Sequence, residues 1–204
     1  MIWLALLAAH AAPSAPCQYD RARLLALDQN AFDQDMTGGW RKLENDGCEA
    51  EAADLVRDWR IAHDAKDSIL FWHEGQLRAD TGQTAAAIAL FKRSYKTAKE
   101  DQGFGWNLYV DGTIAFLGQD RAAFDAAKAK LAALPRPANF TFEGPDGKPV
   151  PIKWPLNMNV FEGLERCWDK PYKVAYACAT PMMRIKAPDT KCGSPSKGGD
   201  SVRC

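Results

Sequence analysis

The stretch Gly75-Gln-Leu-Arg-Ala-Asp-Thr-Gly82-Gln-Thr-Ala-Ala-Ala87-Ile-Ala-Leu-Phe91 decides the fold. Gly82 separates two runs of good helix formers. Glycine takes the left-handed conformation that ends a helix without steric cost. Beyond it, Ala87, Leu90, Phe91 and Ser94 put small and apolar side chains on one face at helical spacing. Thr84 is placed to cap the second helix. The segment reads as helix, glycine turn, helix.

The pattern recurs on both sides. Gly47 lies 35 residues before Gly82 and Gly118 lies 36 after it. Aligning the glycines brings Trp40–Val56 and Asp111–Ala127 into register with Gly75–Phe91. Alanine falls five residues after each glycine, at Ala52, Ala87 and Ala123, where a small side chain lets two helices approach closely. Asp120 caps the second helix of the third unit and Pro135 stops it. Gly38-Gly39 shortens the first helix of the first unit.

With Gly75, Gly82, Ala87, Phe91 and Ser94 at the characteristic spacing, the second unit resembles a tetratricopeptide repeat (TPR). The third unit supplies Gly118, Ala123 and Pro135, but has Asp111 where a small residue is usual and Ala127 where an aromatic is usual. The resemblance covers roughly residues 33 to 135. It implies an all-α fold, a short TPR-like α-hairpin solenoid whose first helices line a concave groove. In that register Arg41, Trp72, Gln76, Leu108 and Phe116 face the groove, and Trp72 and Phe116 are the expected anchors for a peptide or protein partner. Trp40, Trp59 and Trp106 read as core.

Residues 19 to 28 read as a preceding helix that caps the stack, giving a repeat domain over 17–135. A C-terminal extension, 136–183, follows. Phe140 to Ile152 suggests a small hairpin or loop, and Asn157 to Ala179 suggests two short helices separated near Pro171. Asn139-Phe140-Thr141 is an N-glycosylation sequon. Residues 184–204 read as a flexible basic tail.

Residues 1–11 resemble a signal peptide. Ile2 to Ala9 is apolar and Ala9-His10-Ala11 is a small-x-small cleavage pattern. This predicts a periplasmic or secreted protein, with no stretch long enough to span a membrane. An even set of six cysteines in an exported chain suggests disulfides. Position along the chain favours Cys17–Cys48 and Cys167–Cys178 and leaves Cys192 and Cys204 in the tail. Cys167 and Cys178 would lie about 16 Å apart on one straight helix, whereas a disulfide needs Cα atoms within about 7 Å. That pairing therefore requires the chain to turn back near Pro171.

Basic and acidic residues balance at 26 each, so no general attraction to nucleic acid or anionic lipid follows. The chain has no P-loop, dinucleotide fingerprint or G-x-S-x-G, and no cofactor is implied. His73-Glu74 opens like H-E-x-x-H, but Leu77 stands where the second histidine belongs, so no metal site follows. Glu74, Asn107 and Asp111 form a possible polar cluster inside the hairpins, with Arg78 one turn from Glu74 to neutralise it. They make either a register-fixing network or a ligand pocket. The expected function is a non-catalytic exported binding or scaffold protein. The alternatives are a small-molecule hydrolase or other enzyme using Glu74 and Asp111 as acid and base, and a purely structural envelope component.

Overall fold

A computed structural model of the chain describes residues 17–138, 140–143 and 148–179. The expected leader (1–11), Asn139 of the sequon, the 144–147 turn and the tail with Cys192 and Cys204 lie outside the described residues.

The fold is mainly helical. Three hairpins follow in series: α2 (Arg41–Asn45) with α3 (Glu49–Ala62), α4 (Ser68–Asp80) with α5 (Thr84–Arg93), and α7 (Trp106–Leu117) with α8 (Arg121–Ala132). Each packs on the next, α3 against α4 and α5 against α7. Gly82 has φ +75°, as its turn requires. Gly75 lets α5 come close, since a Cβ there would lie 2.7 Å from the Phe91 ring. No helix among the described residues is long and apolar enough to cross a membrane.

The third turn departs from the expected register. Gly118 has φ −80°, and the left-handed residue is Gln119, at +54°. The buried face of α8 departs from the expected register at the first of its two positions and keeps the second. Ala123 is exposed, while Phe124 and Ala127 are buried. Asp120 caps α8 as expected, accepting from the Ala123 amide at 2.9 Å. Thr84 does not cap α5. It is the first helical residue, and Gln83 stands at the cap without a side-chain capping bond. A short helix, α6 (Ala98–Asp101), intervenes before α7 and is held by a Thr97/Glu100 capping box.

At the N-terminus, α1 (Arg21–Leu25) covers α3. The Cys17–Cys48 disulfide, Cα–Cα 5.5 Å, ties it to the start of α3. A π-helical turn, Asn30–Gln34, follows α1 and buries Phe32 and Asp33 completely. Phe32 stacks on Trp59 with ring centroids 4.8 Å apart. Gly38 and Gly39 fall before α2 rather than inside it. Gly39 sits at φ +52°, where a Cβ would lie 2.0 Å from the Phe32 carbonyl oxygen. This tight entry brings Trp40 back beside Asp33.

Beyond α8 a two-stranded antiparallel hairpin forms, β1 (Phe142–Glu143) with β2 (Pro149–Val150). Two short helices complete the fold, α9 (Met158–Arg166) and α10 (Tyr172–Ala177). The chain reverses between them, and the Cys167–Cys178 disulfide closes with a Cα–Cα distance of 6.5 Å. Helix α9 lies against α7 and α8, and α10 lies against α4. At Gly112 the fit is close: a Cβ would meet the Phe161 ring at 2.1 Å.

This extension corrects the expectation of an open groove. Phe116 is only 2% exposed, packed against Trp168 and Tyr172 of the extension. Trp72 is 3% exposed, ringed by Phe91, Trp106 and Tyr109. Neither presents a face to an extended peptide: the extension takes Phe116 out of water, and α5 and α7 cover Trp72.

Candidate functional site

The extension does not fill the space beside α4 completely. A pocket of about 330 Å³ remains between α2, α4, α7 and α10, at the lower end of the range for small-molecule sites. Helix α4 supplies one wall. Ile69, Trp72, His73, Gln76 and Asp80 recur at three- and four-residue spacing and so share one face. Helix α2 adds Arg41 and Glu44, α7 adds Trp106 and Tyr109, and α10 adds Tyr172 and Tyr176 one turn apart.

Asp33 anchors the α2 side from behind. Its carboxylate is fully buried and accepts hydrogen bonds from His73 Nδ1 at 2.7 Å, Trp40 Nε1 at 2.9 Å and Gln34 Nε2 at 2.5 Å. Burial by itself would raise the Asp33 carboxyl. The bonds from His73 and Trp40 and the nearby Arg41 charge outweigh it and hold the group below the usual carboxylate range. An ionised carboxylate only accepts, so the proton of this contact belongs to His73 Nδ1. The ring is thereby fixed in tautomer and orientation, with Nε2 unpartnered among the described residues.

Other groups around the cavity lack partners. The Arg41 guanidinium lies over the Trp40 ring at 4.2 Å, and its Nε is buried without an acceptor. The Tyr172 hydroxyl is buried and closes no hydrogen bond, although it lies near enough to Gln76 for that side chain to oppose the rise in its pKa. Desolvation dominates there and pushes the phenol well above its ordinary value. Glu44 and Asp80 accept no hydrogen bond and form no ion pair among the described residues. Burial raises the Glu44 carboxyl, with Arg41 and His73 opposing the rise. Burial, followed by repulsion from Glu44, pushes Asp80 up to about 7.

Of the residues expected to bind, Arg41, Trp72 and Gln76 line this pocket, Trp72 as a buried wall. The others do not. The Asn107 side chain accepts from the Lys96 amide and donates to the Lys96 carbonyl, both at 2.8 Å, which holds the loop before α6. Leu108 packs at the edge of the core, as Phe116 does within it. Asp111 is exposed rather than inside a hairpin. It accepts from the Tyr95 hydroxyl at 2.5 Å and opens on a different groove with Ile88 and Lys130.

Glu74 is sealed in the interior. Its main partner is Arg60, with a Nε–Oε2 contact of 3.0 Å and a shorter Nη2 contact. Arg78, the expected partner, reaches it only at 3.9 Å and bonds Asp54 at 2.6 Å instead. Glu74, Asn107 and Asp111 therefore form no common cluster. Trp106, expected in the core, is half-buried at the pocket wall, donating to the Ser94 carbonyl at 2.7 Å. Among the described residues, the one grouping with metal-ligand spacing is Cys17, Cys48 and Glu51, whose two thiols are already joined.

No protein-family model, curated protein or solved structure matches the chain. What the site does must be read from its geometry. It is a compact aromatic pocket with an oriented imidazole, two unpartnered carboxylates, a guanidinium with an open donor and a lone buried hydroxyl. Buried polar atoms without partners are uncommon in a finished interior, so their convergence on one cavity favours a site completed by a ligand.

Proposed function

We propose that this chain is an exported, non-catalytic binding protein of TPR-like descent that captures one small group of a peptide or protein partner. The buried, unpartnered Arg41 Nε and Tyr172 hydroxyl, in the α2/α4/α7/α10 pocket beside Glu44 and Asp80, carry this reading. Serial hairpins with Gly75 against Phe91 support the TPR-like part of it. Two disulfides support export, since such bonds persist in oxidising compartments. A pocket of this size suits one side chain or a chain terminus, in place of the extended segment that an open groove would take.

An immobilised library of short peptides with fixed residues at each position, and at free and blocked termini, tests the reading. Selection for one residue type or terminus is expected, and Gln76→Trp, which fills the pocket, should abolish it. A library bound without preference, or bound equally by Gln76→Trp, would refute the assignment.

The Asp33–His73 contact favours a second reading. A carboxylate-oriented histidine in a pocket wall is the arrangement of a general base. It is a better candidate than Glu74 with Asp111, which do not meet. No serine, threonine or cysteine lines the pocket to serve as a nucleophile, so such an enzyme would have to activate water. Hydrolysis of chromogenic esters and amides that disappears in His73→Asn, with the fold retained, would establish this reading over binding alone.

A further inference from the structure

The charge balance of the pocket points to the class of group it takes. Two basic side chains act on it: Arg41, whose buried Nε has no acceptor, and Lys173, which is bonded to Glu49 and also acts on Glu44 and Asp80. Glu44 and Asp80 are left facing each other's charge with no donor among the described residues. Three carboxyl side chains, Glu44, Glu49 and Asp80, meet there with these two basic ones, so the Asp80 end is acidic on balance.

Aromatic faces attract cations within about 6 Å of their centroids. Tyrosines of α10 line that end, Tyr172 and, one turn on, Tyr176. The tryptophans lie further along α4, Trp40 against His73 and Trp106 against Trp72, and already carry Arg41 and Lys96 on their faces. Tyr172, 4% exposed and without a hydrogen-bond partner, lies close enough to Asp80 to feel its charge. Its oxygen is an unused acceptor for an N–H donor. A metal ion is not favoured, because Glu44, Asp80 and His73 do not bring three ligand atoms within reach of one ion.

Resting on the reading of this pocket as a binding site, we infer that its Asp80 end binds an alkylammonium group, with Asp80 and Glu44 as counter-ions, the Tyr172 and Tyr176 rings as walls and the Tyr172 hydroxyl as an acceptor. A lysine side chain of a partner and a free polyamine both carry this chemistry.

The test is titration of the full chain with n-butylammonium, n-butanol and n-butyrate, followed by tryptophan fluorescence, since Trp40, Trp72 and Trp106 all line the cavity. Butylammonium should give a saturable change, with butanol and butyrate at least about tenfold weaker. Asp80→Asn and Glu44→Gln should each weaken butylammonium by at least about tenfold while leaving butanol unaffected. Parallel titrations with spermidine and with N-acetyl-Gly-Lys-Gly-amide distinguish the two sources, and tighter binding of either supports the inference. Equal binding of butanol, or unchanged affinity in both variants, overturns the alkylammonium assignment but leaves the pocket intact as a binding site. A saturable response to butyrate alone overturns it in favour of an anion at Arg41. The absence of any saturable response overturns it outright, and the peptide library then judges the pocket separately.

Discussion

Asp33 Oδ1 and His73 Nδ1 meet at 2.7 Å across 40 residues of chain, joining the π-helical turn to the middle of α4. The contact is buried and ionic on the Asp33 side, so its removal should be felt by the whole fold. Asp33→Ala leaves Trp40 Nε1 and His73 Nδ1 without an acceptor and should cost about 2–4 kcal/mol in urea unfolding at pH 7. The pH dependence has a definite sign. The folded Asp33 carboxyl is held below its unfolded value, so its contribution is present above about pH 4 and is lost as pH falls through the depressed folded value. The variant and the parent should therefore converge in stability at low pH. A difference that persists unchanged at pH 2 would contradict this origin.

Asp80 predicts the opposite sign. Its folded value of about 7 lies above the ordinary carboxylate range. Its contribution is favourable at low pH and is lost as pH rises through about 7. Asp80→Asn removes the penalty. Because the side chain is partly solvated, a discounted gain of about 1–2 kcal/mol is expected at pH 8, vanishing near pH 4. Melting temperatures across that range provide the check.

The same titration bears on ligand capture. The charged groups facing Asp80 are Glu44 from α2, Glu49 from α3 and Lys173 from α10. Protonation of Asp80 removes a counter-ion, so alkylammonium affinity should fall severalfold between pH 8 and pH 6. In Asp80→Asn that slope should disappear.

Gly112 and Phe161 set the spacing of α7 and α9. Gly112→Ala places a methyl where the Phe161 ring now lies and should destabilise by about 1–3 kcal/mol. Phe161→Leu in the same chain should recover part of the loss. Additive losses in the double variant would show that the two positions do not share this contact.

The Cys167–Cys178 disulfide closes the loop that carries α10, and with it Tyr172 and Tyr176. Cys167→Ser with Cys178→Ser should cost about 2–4 kcal/mol and raise amide exchange selectively in α10. Replacing Cys17 and Cys48 should instead loosen α1 and leave the pocket residues of α10 protected. Uniform exchange in both variants would argue against this separation.

Turns and helix faces were legible because their signals are local. Gly47 and Gly82 and the apolar spacing around Ala87 and Phe91 each act within a few residues. Thr97 and Glu100 carried an equally local capping signature for α6 that the glycine alignment passed over. That alignment also misplaced Ala123 on α8, since it assigned the left-handed turn to Gly118 when Gln119 takes it. On α4, Trp72 and Gln76 pointed to the right face, and Asp80 stood one turn further along it. Asp33 carried no such sign. Its role depends on Trp40 and His73, which only the tertiary fold brings to it. Phe116 misled for a related reason: a helix face shows that it is apolar but not which segment covers it.

Lys173 of α10 is bonded to Glu49 at the start of α3, 124 residues earlier. This contact turns a linear series of hairpins into a closed circuit. An open array lengthens freely by duplication of a unit. Here an additional hairpin between α5 and α7 would carry α9 and α10 away with α7, pull Lys173 from Glu49 and draw α10 away from α4. The number of units and the dimensions of the cavity are therefore a single geometric quantity, and growth of the chain by repeat insertion would come at the expense of the site.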